Sequence, residues 1–400
     1  MAYTMKEKFE QVTSIINQLK ILIERELDVL DINSIQEIQL VVMEINKFLY
    51  HYEKLSFQKE YNLDNIKHRK CYIYEVNEII SVWEDSISKR DLAPNNIDED
   101  FFDIYEYFKY IEEEVIYNIT VTKFLELPEE LKNEFLTLPK RYSFLKNKID
   151  YLNNDYSLIA EHISLMCTSI DEYKWIYDHL EDYRSKKVLN GIIKYWFNFD
   201  IVSMHKLCET LYSDYFDLDI LECTKNEVLV DMGAYIGDSA FDFVNTFGDY
   251  AKIYAYEVTP RTFEVLKKNL EQLKNIYPIQ KGLGLEESVM YITDTGNGAG
   301  NTVSYKGTIA VPIVSLDEDI QEPVSLIKMD IEGAEKDALL GSIRHIKEEK
   351  PKLLISAYHI PNDLFQIPKL VNEIRDDYKF YLRFNGHNCL WPCDYVLFAV

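Results

Sequence analysis

Positive charge is scarce in this 400-residue chain: 43 Lys and Arg stand against 68 Asp and Glu, a formal net charge of −25. A surface this acidic repels phosphates, which argues against nucleic acid as a partner. No apolar run approaches the roughly 20 residues of a bilayer span, so no membrane span is expected. The opening Met-Ala-Tyr-Thr-Met-Lys-Glu-Lys has no apolar stretch of the kind a secretory leader carries. The six cysteines are scattered without a framework, so the expectation is free thiols and a cytoplasmic location. His387, Cys389 and Cys393 lack a fourth ligand and have atypical spacing for zinc, so no metal is expected. Glycine and proline are nearly missing before Cys223, where only one of 13 glycines and three of 11 prolines fall. A stretch so poor in punctuation reads as long helices.

Apolar residues at 9, 12, 16, 19, 23 and 30, and again at 35, 38, 42, 45, 49 and 52, keep near-heptad spacing on either side of a polar turn at Asp28 to Asn33. The pattern predicts an antiparallel helical hairpin, with a short dimeric coiled coil as the sharper alternative. Further helices are expected at about 65–90, 98–120, 155–167 and 170–196, with Pro94, Pro128 and Pro139 as breaks. Many of the 30 tyrosines sit among acids in this half, where they suit amphipathic packing at helix interfaces. The division is into residues 1–150, a helical module for interaction or oligomerisation; 151–222, a helical lead-in; and 223–400, a domain of alternating strands and helices.

That alternation begins with Glu-Val-Leu-Val-Asp-Met-Gly-Ala-Tyr-Ile-Gly at 227–237. An apolar strand ends in Asp231, and a turn with Gly233, Ala234, Tyr235 and Gly237 leads into a helix. Such a turn lets backbone N–H groups approach a small ligand. A dinucleotide fingerprint would carry its first glycine where Asp231 stands. A carboxylate there repels a pyrophosphate and suits a ligand with a positive end, such as the amino group of S-adenosylmethionine. A nicotinamide-dependent oxidoreductase is disfavoured by the same substitution. The second strand, 252–257, ends in Glu257, placed to accept hydrogen bonds from ribose hydroxyls, and Pro260 opens the next helix.

Further strands are expected at 278–283, 325–330 and 352–358, with helices from Gly333 to Leu340 and near 363–374. A β insertion is expected over 289–315, its Gly296–Asn301 loop serving either as a lid or as a hairpin turn. Two last strands, about 378–383 and 394–400, close the chain. The order predicts an α/β fold with a mostly parallel, doubly wound sheet. Asp231, Glu257, Gly282, Asp330 and His359 then all lie at carboxyl ends of strands, where ligands of such sheets bind, so one crevice can hold all five.

Four stretches resemble the FkbM family of S-adenosylmethionine-dependent methyltransferases: Val230 to Asp238, Ile253 to Glu257, Ile327-Lys-Met-Asp-Ile-Glu-Gly-Ala-Glu335 with Ala338 to Gly341, and Pro351-Lys-Leu with Ala357-Tyr-His359. The resemblance covers about residues 157–400. It implies the Rossmann-like class I methyltransferase fold with a terminal antiparallel strand, behind an all-α N-terminal region. It also implies methylation of a hydroxyl on a sugar, glycan precursor or secondary metabolite.

Methyl transfer from a sulfonium is an in-line displacement, chiefly a matter of positioning. An alcohol must also lose a proton, which a base within reach assists. His359 is expected as that base, with Asp330 and Glu332 orienting the acceptor or the sulfonium. Glu335 is expected either in the same role or as a cap for the helix that follows. Lys328 shares a strand face with Asp330 and is expected to pair with an acid or to touch the acceptor. The cofactor set is Asp231, Gly233, Ala234, Tyr235, Gly237, Glu257, Gly282 and Asp330. Alternatives are N-methylation of an amino sugar or amino acid, and a non-catalytic scaffold with a vestigial methyltransferase fold. The expected partners are a small-molecule or glycan acceptor and, through the helical module, a second copy or a biosynthetic protein.

Overall fold

A computed structural model describes residues 97–141, 150–209, 211–212, 214–292, 304, 306–386 and 393–400. The expected hairpin at 9–52, the helix at 65–90, the Gly296–Asn301 loop, and His387 and Cys389 lie outside these residues.

The chain enters through helices α1 (Ile97–Tyr110), α2 (Glu113–Glu126), α3 (Glu129–Arg141), α4 (Ser157–His179), α5 (Tyr183–Asn198) and α6 (Ile201–Lys206). Two expected helices are redrawn. The one at 98–120 is broken at Ile111 and Glu112, and Glu112 is extended. The one at 170–196 is broken at 180–182, where Asp182 accepts from the Ser185 N–H at 2.7 Å and caps α5. The expected division near 168 survives as a kink at Ser169 inside α4. Aromatics do much of the packing: Phe101 stacks on Tyr177 at 3.8 Å, and the Tyr177 hydroxyl reaches out to Asp98.

Strands and helices then alternate: β1 (Val228–Met232), α7 (Asp238–Phe247), β2 (Lys252–Tyr256), α8 (Pro260–Leu270), β3 (Ile276–Ile279), β4 (Gly282–Leu283), β5 (Ser288–Ile292), β6 (Ile309–Val314), α9 (Leu316–Asp319), β7 (Leu326–Met329), α10 (Glu335–Leu340), α11 (Ile343–Glu349), β8 (Lys352–Ser356), α12 (Asp363–Ile374), β9 (Phe380–Phe384) and β10 (Tyr395–Ala399). The main sheet has seven strands in the order β3-β2-β1-β7-β8-β10-β9. Pairs from β3 through β8 are parallel, and β10 runs antiparallel to both β8 and β9. This is the expected doubly wound, mostly parallel sheet with an antiparallel strand near its end, and helices stand ahead of it. The expected strand at 278–283 is two pieces: β3 ends the main sheet, and β4 joins β6 and β5 in a separate three-stranded sheet.

Both faces of the main sheet are buried, and alternate residues choose the face. Val230, Met232, Ile327, Met329, Leu353 and Ile355 face a core shared with α1, α2, α4 and α5. Leu229, Leu326, Leu354, Val396 and Phe398 face α7 and α8. Helices α10, α11 and α12 supply residues to the same core and α4 packs on α12, so the lead-in helices join the layer on this face.

They also close the sheet's edge. Helix α5 packs on β9, and the Leu382 N–H donates to Ser185 Oγ at 2.8 Å. Arg383 of β9 is buried between Asp217 (2.6 Å) and Asp182 (2.7 Å). Removing one partner of such a buried ion pair leaves a charge uncompensated. Arg383→Ala is expected to lower unfolding stability by about 3–5 kcal/mol, read as a shift in the urea midpoint. A loss under about 1 kcal/mol, the range of exposed pairs, would show that the pair does not fasten the helices to the edge.

Candidate functional site

The strand order reverses between β1 and β7, since β2 and β3 extend one way and β8 the other. A crevice opens at the carboxyl ends of strands at such a switch point. Asp231 in β1 pairs in register with Lys328 in β7, so both side chains leave the same face of the sheet. They form a buried ion pair, Lys328 Nζ to Asp231 Oδ1 at 3.0 Å. Ser239 donates to Asp231 Oδ2 at 2.5 Å, and Lys328 also donates to the Gly233 carbonyl at 2.7 Å. Burial alone would pull the Lys328 ammonium down; Asp231, Asp330 and Asp238 outweigh it and hold the proton above the ordinary lysine value. Lys328 thus pairs with an acid, one of its two expected roles, and that acid is Asp231.

The glycine turn is clamped onto the neighbouring strands. The Gly233 and Ala234 N–H groups both donate to the Tyr256 carbonyl, at 3.0 and 2.8 Å. These two amides bind strand β2, which departs from the expected presentation of turn N–H groups to a ligand. Gly233 has φ +77°, and a Cβ there would sit 1.9 Å from the Asp330 carbonyl oxygen. Only glycine allows β1 and β7 to approach so closely at their ends. Tyr235 is itself left-handed, with φ 48°.

Glu257, just past β2, is buried and accepts from the Thr259 N–H at 2.6 Å and from the backbone of Tyr235. Burial pushes its carboxyl up to about 7 against these hydrogen bonds. Gly282 lies in β4, packed against Ile313 of the small sheet and against Val258. It is therefore in the second sheet, beside the residue that follows Glu257.

Asp330, just past β7, joins a second group. Its Oδ2 accepts from the Tyr215 hydroxyl at 2.8 Å, and that hydroxyl also meets Ser356 at 3.1 Å. Burial and the facing Asp330 hold the Tyr215 phenol well above its ordinary value, so it remains a donor. The Tyr215 ring lies under Lys328, 5.0 Å from Nζ, which links the two groups. His359, three residues past β8, is buried with three carboxylates around it. Nδ1 lies 2.9 Å from Glu335, and Nε2 lies 3.4 Å from Asp330 and 3.7 Å from Glu332. Glu332 reaches it from a left-handed backbone, φ 59°. Glu335 is fully buried and also accepts from the Ile331 N–H at 3.0 Å. Burial alone would lower the His359 imidazole, but Glu335, Glu332 and Asp330 raise it to about 10. Those carboxylates favour the protonated ring, whereas the base expected from the sequence is the neutral one.

Asp231, Asp330 and His359 thus meet in one polar network, with Glu257 one strand away. Sequence reasoning missed the roles of Tyr215 and Ser356. Tyr215 lies 115 residues before Asp330, and its only signal was its place in the lead-in. Ser356 had a periodic signal, since it shares its sheet face with Leu354.

Residues 231–386 match the family model described as the methyltransferase FkbM domain. The fold matches a crystal structure of methyltransferase FkbM from Methylobacillus flagellatus KT with TM-score 0.51 and 23% identity, over 60% of this chain and 62% of that one. This chain therefore spans about three fifths of that relative's length. An rRNA methylase from Streptococcus thermophilus matches with TM-score 0.29 and 15% identity, over 44% of this chain and 86% of that one. Aeropyrum pernix fibrillarin, solved with S-adenosyl-L-methionine, gives 0.31 and 15%, over 45% and 70%. No curated protein matches.

Two measurements test the geometry. Gly233→Ala is expected to destabilise the chain by clearly more than about 1 kcal/mol, and more than Gly248→Ala. Gly248 shares φ +77° but has open space at its Cβ, so equal losses in urea unfolding would mean the close approach at Asp330 is not tight. For His359, the folded value of about 10 lies above the ordinary 6.5. Its contribution to stability is complete below the ordinary value and disappears as pH rises through about 10. The stability gap between wild type and His359→Gln should therefore shrink between pH 6.5 and 10 in metal-free buffer. A constant gap would show that the carboxylates do not hold the proton.

Proposed function

The chain carries an FkbM-family methyltransferase domain over residues 231–386, and from that premise we propose that it methylates a hydroxyl on a sugar, glycan precursor or secondary metabolite. It is an enzyme of the methyltransferase class, and its family implies S-adenosylmethionine as donor. The acceptor and the choice of oxygen over nitrogen are our reading. The observation that carries it is the pair of carboxylates, Asp330 and Glu332, at the carboxyl end of β7, partly exposed and held beside one buried imidazole.

The cofactor lies across the ends of β1 and β2. Asp231 acts there through Lys328 and the Gly233 carbonyl, fixing the turn formed by Gly233, Ala234, Tyr235 and Gly237. Glu257 accepts from the ribose hydroxyls, with Gly282 at the border of the small sheet. Asp330, held by Tyr215, faces the reacting methyl group. The acceptor hydroxyl donates to Glu332 or Asp330, which aligns its oxygen with the methyl carbon. As the new C–O bond forms and the C–S bond breaks, the proton passes to Glu332. His359 carries its own proton, so it positions the two carboxylates instead of accepting from the substrate. It is a positioning residue in this scheme, in place of the base expected from the sequence.

A second reading, N-methylation, draws on the same site. Asp330, Glu332 and Glu335 around His359 make an acidic mouth that attracts an amine-bearing acceptor. That acceptor must shed its proton before attack.

The test is calorimetric titration with S-adenosylmethionine and, in parallel, NADH, followed by methyl transfer to a panel of sugars and amino sugars. One-site binding of S-adenosylmethionine, no binding of NADH, and transfer slowed at least about 100-fold by Glu332→Gln are expected, the lower range for a general base. Cofactor binding with an unchanged rate in Glu332→Gln would remove Glu332 as proton acceptor. Absence of cofactor binding would favour the scaffold reading, with the lead-in helices as the functional part.

A further inference from the structure

Asp330, Glu335 and His359 each offer a ligand atom, and these atoms lie within 4.8 Å of one another. The imidazole is oriented as metal-bound histidines are, with one nitrogen on a buried carboxylate and the other directed at further donors. Nδ1 is fixed on Glu335 at 2.9 Å, and Nε2 faces Asp330 Oδ1 at 3.4 Å and Glu332 Oε2 at 3.7 Å. Two donors that each bind one small divalent ion at about 2.1 Å stand about 3.0–3.4 Å apart at tetrahedral or octahedral angles. The Asp330 separation fits this; Glu332 stands outside the group of atoms within 4.8 Å and must turn its carboxylate toward Asp330 to complete the set.

A second observation is independent of that spacing. Asp330 Oδ1 is buried and has no hydrogen-bond donor among the described residues, although it points at Nε2. Glu335 is 0% exposed, and its Oε2 is equally without a donor. Asp363, 1% exposed at the start of α12, has a third such oxygen, Oδ1. Buried acceptors without donors are costly, and those of a built site are completed by a bound cation. The partly exposed Asp330 and Glu332 leave one side of the cluster open to the crevice, as an ion that also binds a substrate requires.

We propose that Asp330, Glu332 and Nε2 of His359 bind one divalent cation, with Glu335 fixing the ring through Nδ1. The donor set of two carboxylates and one imidazole suits Mn²⁺ or Mg²⁺, which keep open positions for water or substrate oxygen. The ion ligates the acceptor oxygen and makes its proton easier to remove. The transfer itself is unchanged: C–S breaks, C–O forms, and the acceptor proton goes to the Glu332 oxygen that faces it; the ion takes the place of the Nε2 proton of His359, which is released to solvent as the ion binds. This inference rests on the methyltransferase reading of the same crevice and adds a metal requirement to it. No metal was expected from the sequence.

The probe is Mn²⁺ alone, titrated into full-length, chelator-treated protein and followed by electron paramagnetic resonance. Calorimetric S-adenosylmethionine binding is measured on the same samples. The expected result is one Mn²⁺ site, weakened at least about tenfold in Glu335→Gln and lost in Glu332→Gln and His359→Gln, with cofactor binding kept in all three variants. Electron spin echo modulation should show a nitrogen coupling from one imidazole in wild type, which a purely structural His359 would not produce. No Mn²⁺ binding by a wild type that binds S-adenosylmethionine would overturn the inference and leave the methyltransferase reading standing. Mn²⁺ binding of equal strength in wild type and Glu332→Gln, or without nitrogen coupling, would overturn it as well, by placing the ion elsewhere. A wild type that binds neither would bring down both.

Discussion

The site depends on a single buried ion pair between the two central strands. Taking Asp231 and Lys328 out of water is expensive, and their mutual attraction offsets that cost only if their other hydrogen-bonding groups are also satisfied. Ser239 donates to the second oxygen of Asp231, and the Gly233 carbonyl and the face of Tyr215 meet the ammonium of Lys328. The pair therefore does more than neutralise charge. Because Lys328 holds the Gly233 carbonyl, the turn after β1 is tied to the strand that carries Asp330. Because Tyr215 lies under the ammonium and donates to Asp330, the same cation sets where that carboxylate points.

The second group obeys the same rule. Around Lys328, several acids surround a buried ammonium; around His359, three carboxylates surround a buried imidazole. In both places a cation is kept because acids crowd it, even though burial opposes its charge. The first cation is locked inside the sheet. The second lies where two of its carboxylates still reach the crevice, and so chemistry is assigned to the second.

The helices ahead of the sheet belong to this arrangement. They pack on α12 at one sheet face, take in Arg383 at its edge through Asp182, and lead into the loop that delivers Tyr215 and Asp217. The small sheet of β4, β5 and β6 borders the crevice beyond Glu257 and carries Gly282, which the sequence had placed on the main sheet. Two short strands separated only by Gln280 and Lys281 read as one segment, and its pattern does not tell which sheet each half joins.

Local chemistry was legible in the sequence wherever period and punctuation are strong. Helix α8 starts at Pro260 as read, and α12 spans 363–374 as read. The end-of-strand positions of Asp231 and Asp330 followed from apolar runs that stop at an acid. Glu257 was read as the last residue of its strand and lies one residue past it; His359 was read at the end of its strand and lies three residues past it. The sequence by itself thus determined the alternating order of elements, hence the doubly wound sheet, and which polar side chains stand at its carboxyl end. Tertiary structure alone decided how those side chains pair. Lys328 meets Asp231 because β7 lies beside β1 in register, a neighbour 97 positions away along the chain. His359 became a cation because β8, α10 and the loop after β7 bring Glu335, Glu332 and Asp330 around it. Protonation depends on the field of every nearby charge and on the loss of water, and both are properties of the assembled fold.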